Sequence, residues 1–149
     1  MSEATTIVTA GDTPWAEVMP GVEIRMLGVF GDGAGYSALF RFAAGTRLPK
    51  HHHLGRVHAY TLEGRWRYLE HDWVAEAGSY VLEQPGGVHT LEVPADATGP
   101  AIVMFVVEGG MVLLADDGSP QMIWDTPSMC AVYRDALLVS GIVPPVTLV

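Results

Sequence analysis

The chain carries a single cysteine, Cys130, so no intrachain disulfide can form, and its place on a helical face marks it as buried and inert. Basic residues are scarce. Eight Lys and Arg stand against 17 Asp and Glu, for a formal net charge of −9 and a pI near 4.9. A nucleic-acid binder would show a basic patch, and an anionic membrane surface would repel this balance. No apolar run approaches the ~20 residues a membrane helix needs. The first residues, Met1 to Thr6, lack the basic-then-apolar order of a signal peptide. The expectation is a soluble, cytoplasmic protein with neither nucleic acid nor membrane as partner. Helical periodicity is also missing over most of the chain, and with it any helical bundle.

Short alternating segments take its place. Strands are expected over 22–30, 36–43, 58–62, 65–70, 73–76, 79–83, 89–93, 101–107, 111–115 and 121–124. Gly and Pro punctuate them. The turn at Glu63-Gly64 and the Gly109-Gly110 turn both read as hairpins, and the apolar run 101–107 reads as a strand buried on both faces. One helix is expected over 127–140, capped by Thr126 with Pro127 in its first turn, and ended by Gly141. Trp15 and Val18 can pack a lead-in segment against the strands. The 149 residues make one domain. It is an all-β barrel or sandwich, with its core over about 22–124 and a C-terminal helix. The apolar tail 142–149 either docks on its own barrel or meets a second subunit, and a homodimer or homotetramer is expected.

All six histidines fall between positions 51 and 89. His51 and His53 are two apart, so on a strand both imidazoles leave one face. Two neutral imidazoles side by side are half of a metal site. His89 is the natural third ligand, because the Gln84-Pro85-Gly86-Gly87-Val88 turn can return the chain over the first pair. A purification tag sits at a terminus and is longer. A histidine that merely packs does not explain two on one face with a third after a Gly-Gly turn. His52 should face away, and His71 sits in a polar turn.

At this point the spacing resembles the cupins. Gly45, His51, His53 and Gly64 fall in register with the first cupin motif, and Gly78, Gly86 and His89 with the second. Gln84 stands where a proline is usual, and Pro85 comes one place later. His58 occupies the position of the metal-binding glutamate, and Val93 that of a common asparagine. The resemblance implies a jelly-roll (double-stranded β-helix) barrel. The missing glutamate points to cupins with an all-histidine iron site. There, the stretch His51 to Leu62, with Trp66, Tyr68, Glu70, Asp72-Trp73, Ala77-Gly78-Ser79 and His89-Thr90-Leu91, is similar to the 2,4'-dihydroxyacetophenone dioxygenases. The acetylacetone-cleaving dioxygenase is a more distant likeness. The resemblance implies a mononuclear Fe(II) site, with Zn, Ni or another divalent metal as alternatives. It also implies O2-dependent C–C cleavage of an α-hydroxyketone or β-diketone. A non-redox zinc-binding cupin, acting as a sensor or regulatory module, is the rival, and a cupin isomerase or epimerase the third reading.

Two further residues are candidates for catalysis. Strand parity sends His58 away from His53, but a bulge at Gly55 would restore it to the inner face as a ligand or as a base beside the metal. Glu83, six before His89, is either an acceptor orienting a histidine or a solvated strand end. Arg65 and Arg67 share a face and could steady an anion. Tyr60, Trp66 and Tyr68 could line an aromatic pocket or simply pack.

Overall fold

Period-two burial organises the structure. The computed structural model describes residues 5–30 and 32–144. In chain order the strands are β1 (Ala16–Met19), β2 (Val22–Val29), β3 (Gly35–Phe42), β4 (His51–His53), β5 (Val57–Glu63), β6 (Arg65–Tyr68) and β7 (Ala75–Glu76). They continue as β8 (Tyr80–Glu83), β9 (Val88–His89), β10 (Leu91–Glu92), β11 (Ala101–Glu108), β12 (Met111–Leu114) and β13 (Pro120–Trp124), and the helix α1 (Thr126–Val139) follows. The turn expected at 31–35 begins on Gly31, and the tail expected to dock or dimerise ends in 145–149; these positions lie outside the described residues.

Three sheets result. A six-stranded sheet runs β1-β2-β3-β11-β5-β8, a four-stranded sheet β13-β12-β4-β9, and a three-stranded one β10-β6-β7. Val22, Ile24 and Met26, with Tyr36, Ala38, Phe40 and Phe42 on the neighbouring strand, are buried on the inner face. Val57, Ala59, Val103, Phe105 and Val107 continue that face. Trp66 is fully buried near Phe105, donating its indole N–H to Thr61 Oγ1 at 2.8 Å. The all-β class and the C-terminal helix are as expected.

Several local expectations are corrected. Glu63-Gly64 is no hairpin, because β5 pairs with β11 and β8, while β6 pairs with β10 and β7. At Gly64 the chain leaves one sheet for another, passing so close to Pro100 that a Cβ would lie 2.4 Å from its carbonyl oxygen. Gly109-Gly110 likewise carries the chain from β11 across to β12 in the four-stranded sheet. The run 101–107 alternates, with Ile102, Met104 and Val106 only half-buried on the outer face. Asp125, not Thr126, caps the helix: its Oδ1 accepts from the Ser128 amide at 3.0 Å. Met129, Cys130, Tyr133, Ala136 and Leu137 form the helix's buried face, and the helix packs on β1 and β2. Trp15, as expected, joins the lead-in, under the Arg41 guanidinium at 4.3 Å.

Candidate metal centre

The cluster begins with register. His51 is the cross-strand partner of His89, and His52 of Val88. His51 and His53 are buried while His52 between them is half-exposed, as strand parity requires. The Gln84–Gly87 turn is tied to β4 by backbone bonds, the Gly86 amide to His53 O (2.8 Å) and the His53 amide to Gly87 O (3.0 Å). Next to His89, Glu70 accepts from both the Thr90 amide (2.8 Å) and the Thr90 hydroxyl (2.9 Å), which fixes the short β9–β10 segment. Tyr68 stacks on the His89 ring at 3.8 Å and 11°.

The three imidazoles meet. Ring centroids are 4.8 Å apart for His51 and His53, 4.7 Å for His51 and His89, and 5.0 Å for His53 and His89. One nitrogen from each lies within 4.8 Å of the others, a spacing that could hold a metal ion. His51 Nδ1 donates to the Pro49 carbonyl at 2.8 Å. A carbonyl can only accept, so the tautomer is fixed and Nε2 keeps a free lone pair.

Glu83 completes the picture. It is buried, with Oε1 2.8 Å from His89 Nε2 and Oε2 3.6 Å from His53 Nε2. Yet Glu83 Oε1 and Oε2, His53 Nδ1 and His89 Nε2 all lack a partner with hydrogen-bond geometry. Buried polar atoms are rarely left so. That these four all belong to the three residues His53, Glu83 and His89 fits a cation better than a packing defect. The electrostatics agree. Burial holds the His51 imidazole below its ordinary pKa and takes His53 down to about 3, so both are neutral donors. Burial alone would raise Glu83, but the contact with His89 and the nearby His53 outweigh it and hold the carboxyl below its usual value. Burial, reinforced by that carboxylate, pushes the Tyr68 hydroxyl well above its own. A buried carboxylate close to the neutral His51 and His53 rings is a well for positive charge.

A pH dependence follows. Between the ordinary imidazole pKa of ~6.5 and the lowered folded values, the unfolded chain binds more protons than the native one, so acid favours unfolding. Metal-free protein should therefore melt progressively lower as pH falls from about 7 to about 5. A melting temperature flat across that range would show that the imidazoles are not desolvated as described.

The other candidates lie elsewhere. His58 points to the outer face of β5, opposite Val57 and Ala59, where Nδ1 shares a 2.5 Å hydrogen bond with the Tyr80 hydroxyl. The bulge at Gly55 is absent: pairing of β5 with β11 is regular from Val57, and its irregularity falls near Leu62. Gly55 is instead a close-approach glycine, where a Cβ would come within 2.0 Å of Glu108 O. Arg67 bonds Glu92, which also holds Arg47, and Arg65 is exposed, so neither faces the cluster. Tyr60 is on the surface, Trp66 in the core, and Tyr68 alone of that trio reaches the site. The Pro49 carbonyl had no signal in sequence, because it acts through backbone geometry; Glu70 has a signal there only through the resemblance, and its carboxylate braces Thr90 beside His89.

Two openings reach the cluster. An apolar cavity of about 80 Å³ between the facing sheets touches His51, His53 and Tyr68. A wider polar cleft of about 600 Å³, walled by His71 and Trp73, touches His89 and Glu83. No helix of the described residues is long and apolar enough to cross a membrane.

Comparison with known proteins shows what the chain is similar to. The family model described as the ChrR cupin-like domain matches residues 3–112. An RmlC-like cupin protein from Ralstonia eutropha JMP134 is 31% identical, with a TM-score of 0.86 over 94% of this chain and 91% of that one. A cupin-like protein of unknown function from the same organism is 26% identical, with a TM-score of 0.85 over 95% and 90%. An acetylacetone dioxygenase from Acinetobacter johnsonii is 14% identical, with a TM-score of 0.74 over 91% and 94%, a likeness of fold. Among curated proteins none matches the chain.

Proposed function

The chain belongs to the ChrR cupin-like domain family, and from that premise we propose that it is a metal-dependent dioxygenase. Its substrate is a compact β-diketone or α-hydroxyketone, cleaved at a C–C bond with O2. One observation carries the reading. Two members of the buried triad, His51 and His53, line an apolar cavity of about 80 Å³, and the third, His89, lines the wider cleft with Glu83. A purely structural metal site has no use for such a space. Fe(II) is the metal that suits this chemistry, and His51, His53 and His89 would hold it, with Glu83 beside them. Iron, when bound, would supply the electron transfer that lets a substrate enolate react with dioxygen.

The chain's residues do the rest. Pro49 keeps His51 in one tautomer. Tyr68 holds the His89 ring flat against its own. Apolar walls exclude bulk water from the enolate. Glu83, buried and held below its usual pKa, lines the cleft beside His89 rather than the apolar cavity, and its carboxylate favours positive charge at the triad. Glu83→Gln keeps the shape and removes the charge, and should weaken metal binding by about 10–100-fold, the usual effect of an outer partner. A titration with Zn(II) or Fe(II) reads this, and an unchanged affinity would remove Glu83 from the account. His58 has no part in this mechanism.

A second reading has its own observation. Glu83 stands 2.8 Å from His89 Nε2 and offers a fourth donor, the count of a closed zinc site in a sensor or regulatory module. Oxygen uptake by the Fe(II)-loaded protein, across a panel of diketones and aromatic hydroxyketones, separates the two. Uptake with cleaved product supports the dioxygenase. Absence of uptake with iron fully loaded favours the regulatory module. A homo-oligomer also fits, since the outer face of β5 and β8 leaves Tyr60, Leu62, Tyr80 and Leu82 exposed.

A further inference from the structure

The wall of the apolar cavity is continuous with the histidines. His53 is the cross-strand partner of Met111, and Met111 of Trp124. Side chains in one cross-strand row leave the same face, so His53, Met111 and Trp124 all look into the cavity. Two strand spacings, about 10 Å, separate the imidazole from the indole. Trp124 lies on β13, the edge of its sheet, and β1 is the edge of the facing sheet. β13 pairs only with β12, and β1 only with β2. Side chains rather than backbone bonds close the cavity along this seam: Met19 from β1, Trp124 from β13 and Met129 from α1. Trp124 is half-buried, and its indole N–H goes to the thioether of exposed Met122, a weak acceptor.

The lining limits what can enter. Apart from the imidazoles it holds no ionisable side chain but the tyrosines Tyr36 and Tyr68, so a charged ligand body would be desolvated without a partner. At about 80 Å³ the cavity is also small. A dry cavity of roughly 150 Å³ is what benzene has been seen to occupy. A ligand must therefore be slim, or must displace the wall, and methionines on both sides of the seam make the wall deformable.

We infer that Trp124 is a specificity-determining residue, the door and length gauge of this cavity. Uncharged ligands with an apolar body pass between β1 and β13, and the indole sets how long that body can be. This rests on the reading that the cavity is the substrate side of the histidine cluster.

The test uses the full chain and binding rather than turnover. Linear alkan-2-ones of increasing length are titrated into metal-free protein by NMR, and the matching 2,4-diketones into zinc-loaded protein. Affinity should rise about fourfold per buried methylene until the wall is met, and then stop rising. Trp124→Ala should extend the rise by about two methylenes, roughly fifteen-fold in affinity for the longer ketones. Trp124→Phe should fall between, and Met19→Phe should shorten the series. Ile123→Ala, on the opposite face of β13, should leave it unchanged. If the stopping length is the same in folded Trp124→Ala protein, or if no ketone binds, the door is not there, and the cleft beside His71 and Trp73 becomes the route. If Trp124→Ala extends the series but zinc gives diketones no advantage over simple ketones, the gauge stands and the chelating substrate proposed above fails.

Discussion

Replacing His51, His53 or His89 by alanine is expected to abolish stoichiometric metal binding, each with a loss larger than the roughly 100-fold limit typical of residues outside the ligand set. The reason is geometric. Each ring supplies one nitrogen to a triangle whose members lie within 4.8 Å of each other, and no other buried imidazole is near enough to substitute among the described residues. Removing His53 or His89 also takes away one of the two rings that touch the buried Glu83 carboxylate. His52→Ala and His58→Ala are expected to keep full metal content, because their side chains leave the opposite faces of β4 and β5. Metal analysis after dialysis against a weak chelator reads all five. Equal loss from His52→Ala would mean the register of β4 is wrong.

The second large effect is on stability. Trp66→Ala should cost about 3–5 kcal/mol, the range for deleting a large buried aromatic. Trp66 is fully buried, packs edge-on against Tyr68 and Trp73, and donates to Thr61, whose hydroxyl would be left buried without that partner. A domain's whole stability is only about 5–15 kcal/mol, so the variant should be marginal at room temperature. Denaturant unfolding of metal-free protein measures this directly. A cost below about 1 kcal/mol would show that the core collapses around the gap. Because Tyr68 bridges Trp66 and His89, the variant should also bind metal more weakly.

The histidine triangle was legible because each step is a local rule. Alternation placed His51 and His53 together and His52 outside, and the Pro-Gly-Gly turn carried His89 back to pair with His51. Sheet membership was not legible. Gly64 and Gly109 announce a change of direction, but a turn residue does not say whether the next strand pairs with the last or crosses to the facing sheet. The run 101–107 misled for a related reason. An apolar residue reads alike whether it faces the core or an outer sheet surface, as Met104 and Val106 do. Spacing offered two possible roles for Glu83, and only tertiary structure could choose the buried one, since its orientation depends on β8 pairing with β5 at Val57. His58 shows the converse: parity pointed outward, and the bulge invoked to reverse it does not form.

The most direct test is a crystal structure of the protein soaked with Fe(II) or Zn(II), with anomalous data collected at the metal's absorption edge. The account predicts one anomalous peak, coordinated by nitrogen from each of His51, His53 and His89, with Glu83 beside it and the apolar cavity on its open side. A peak placed elsewhere, or none in protein that holds metal in solution, would contradict it.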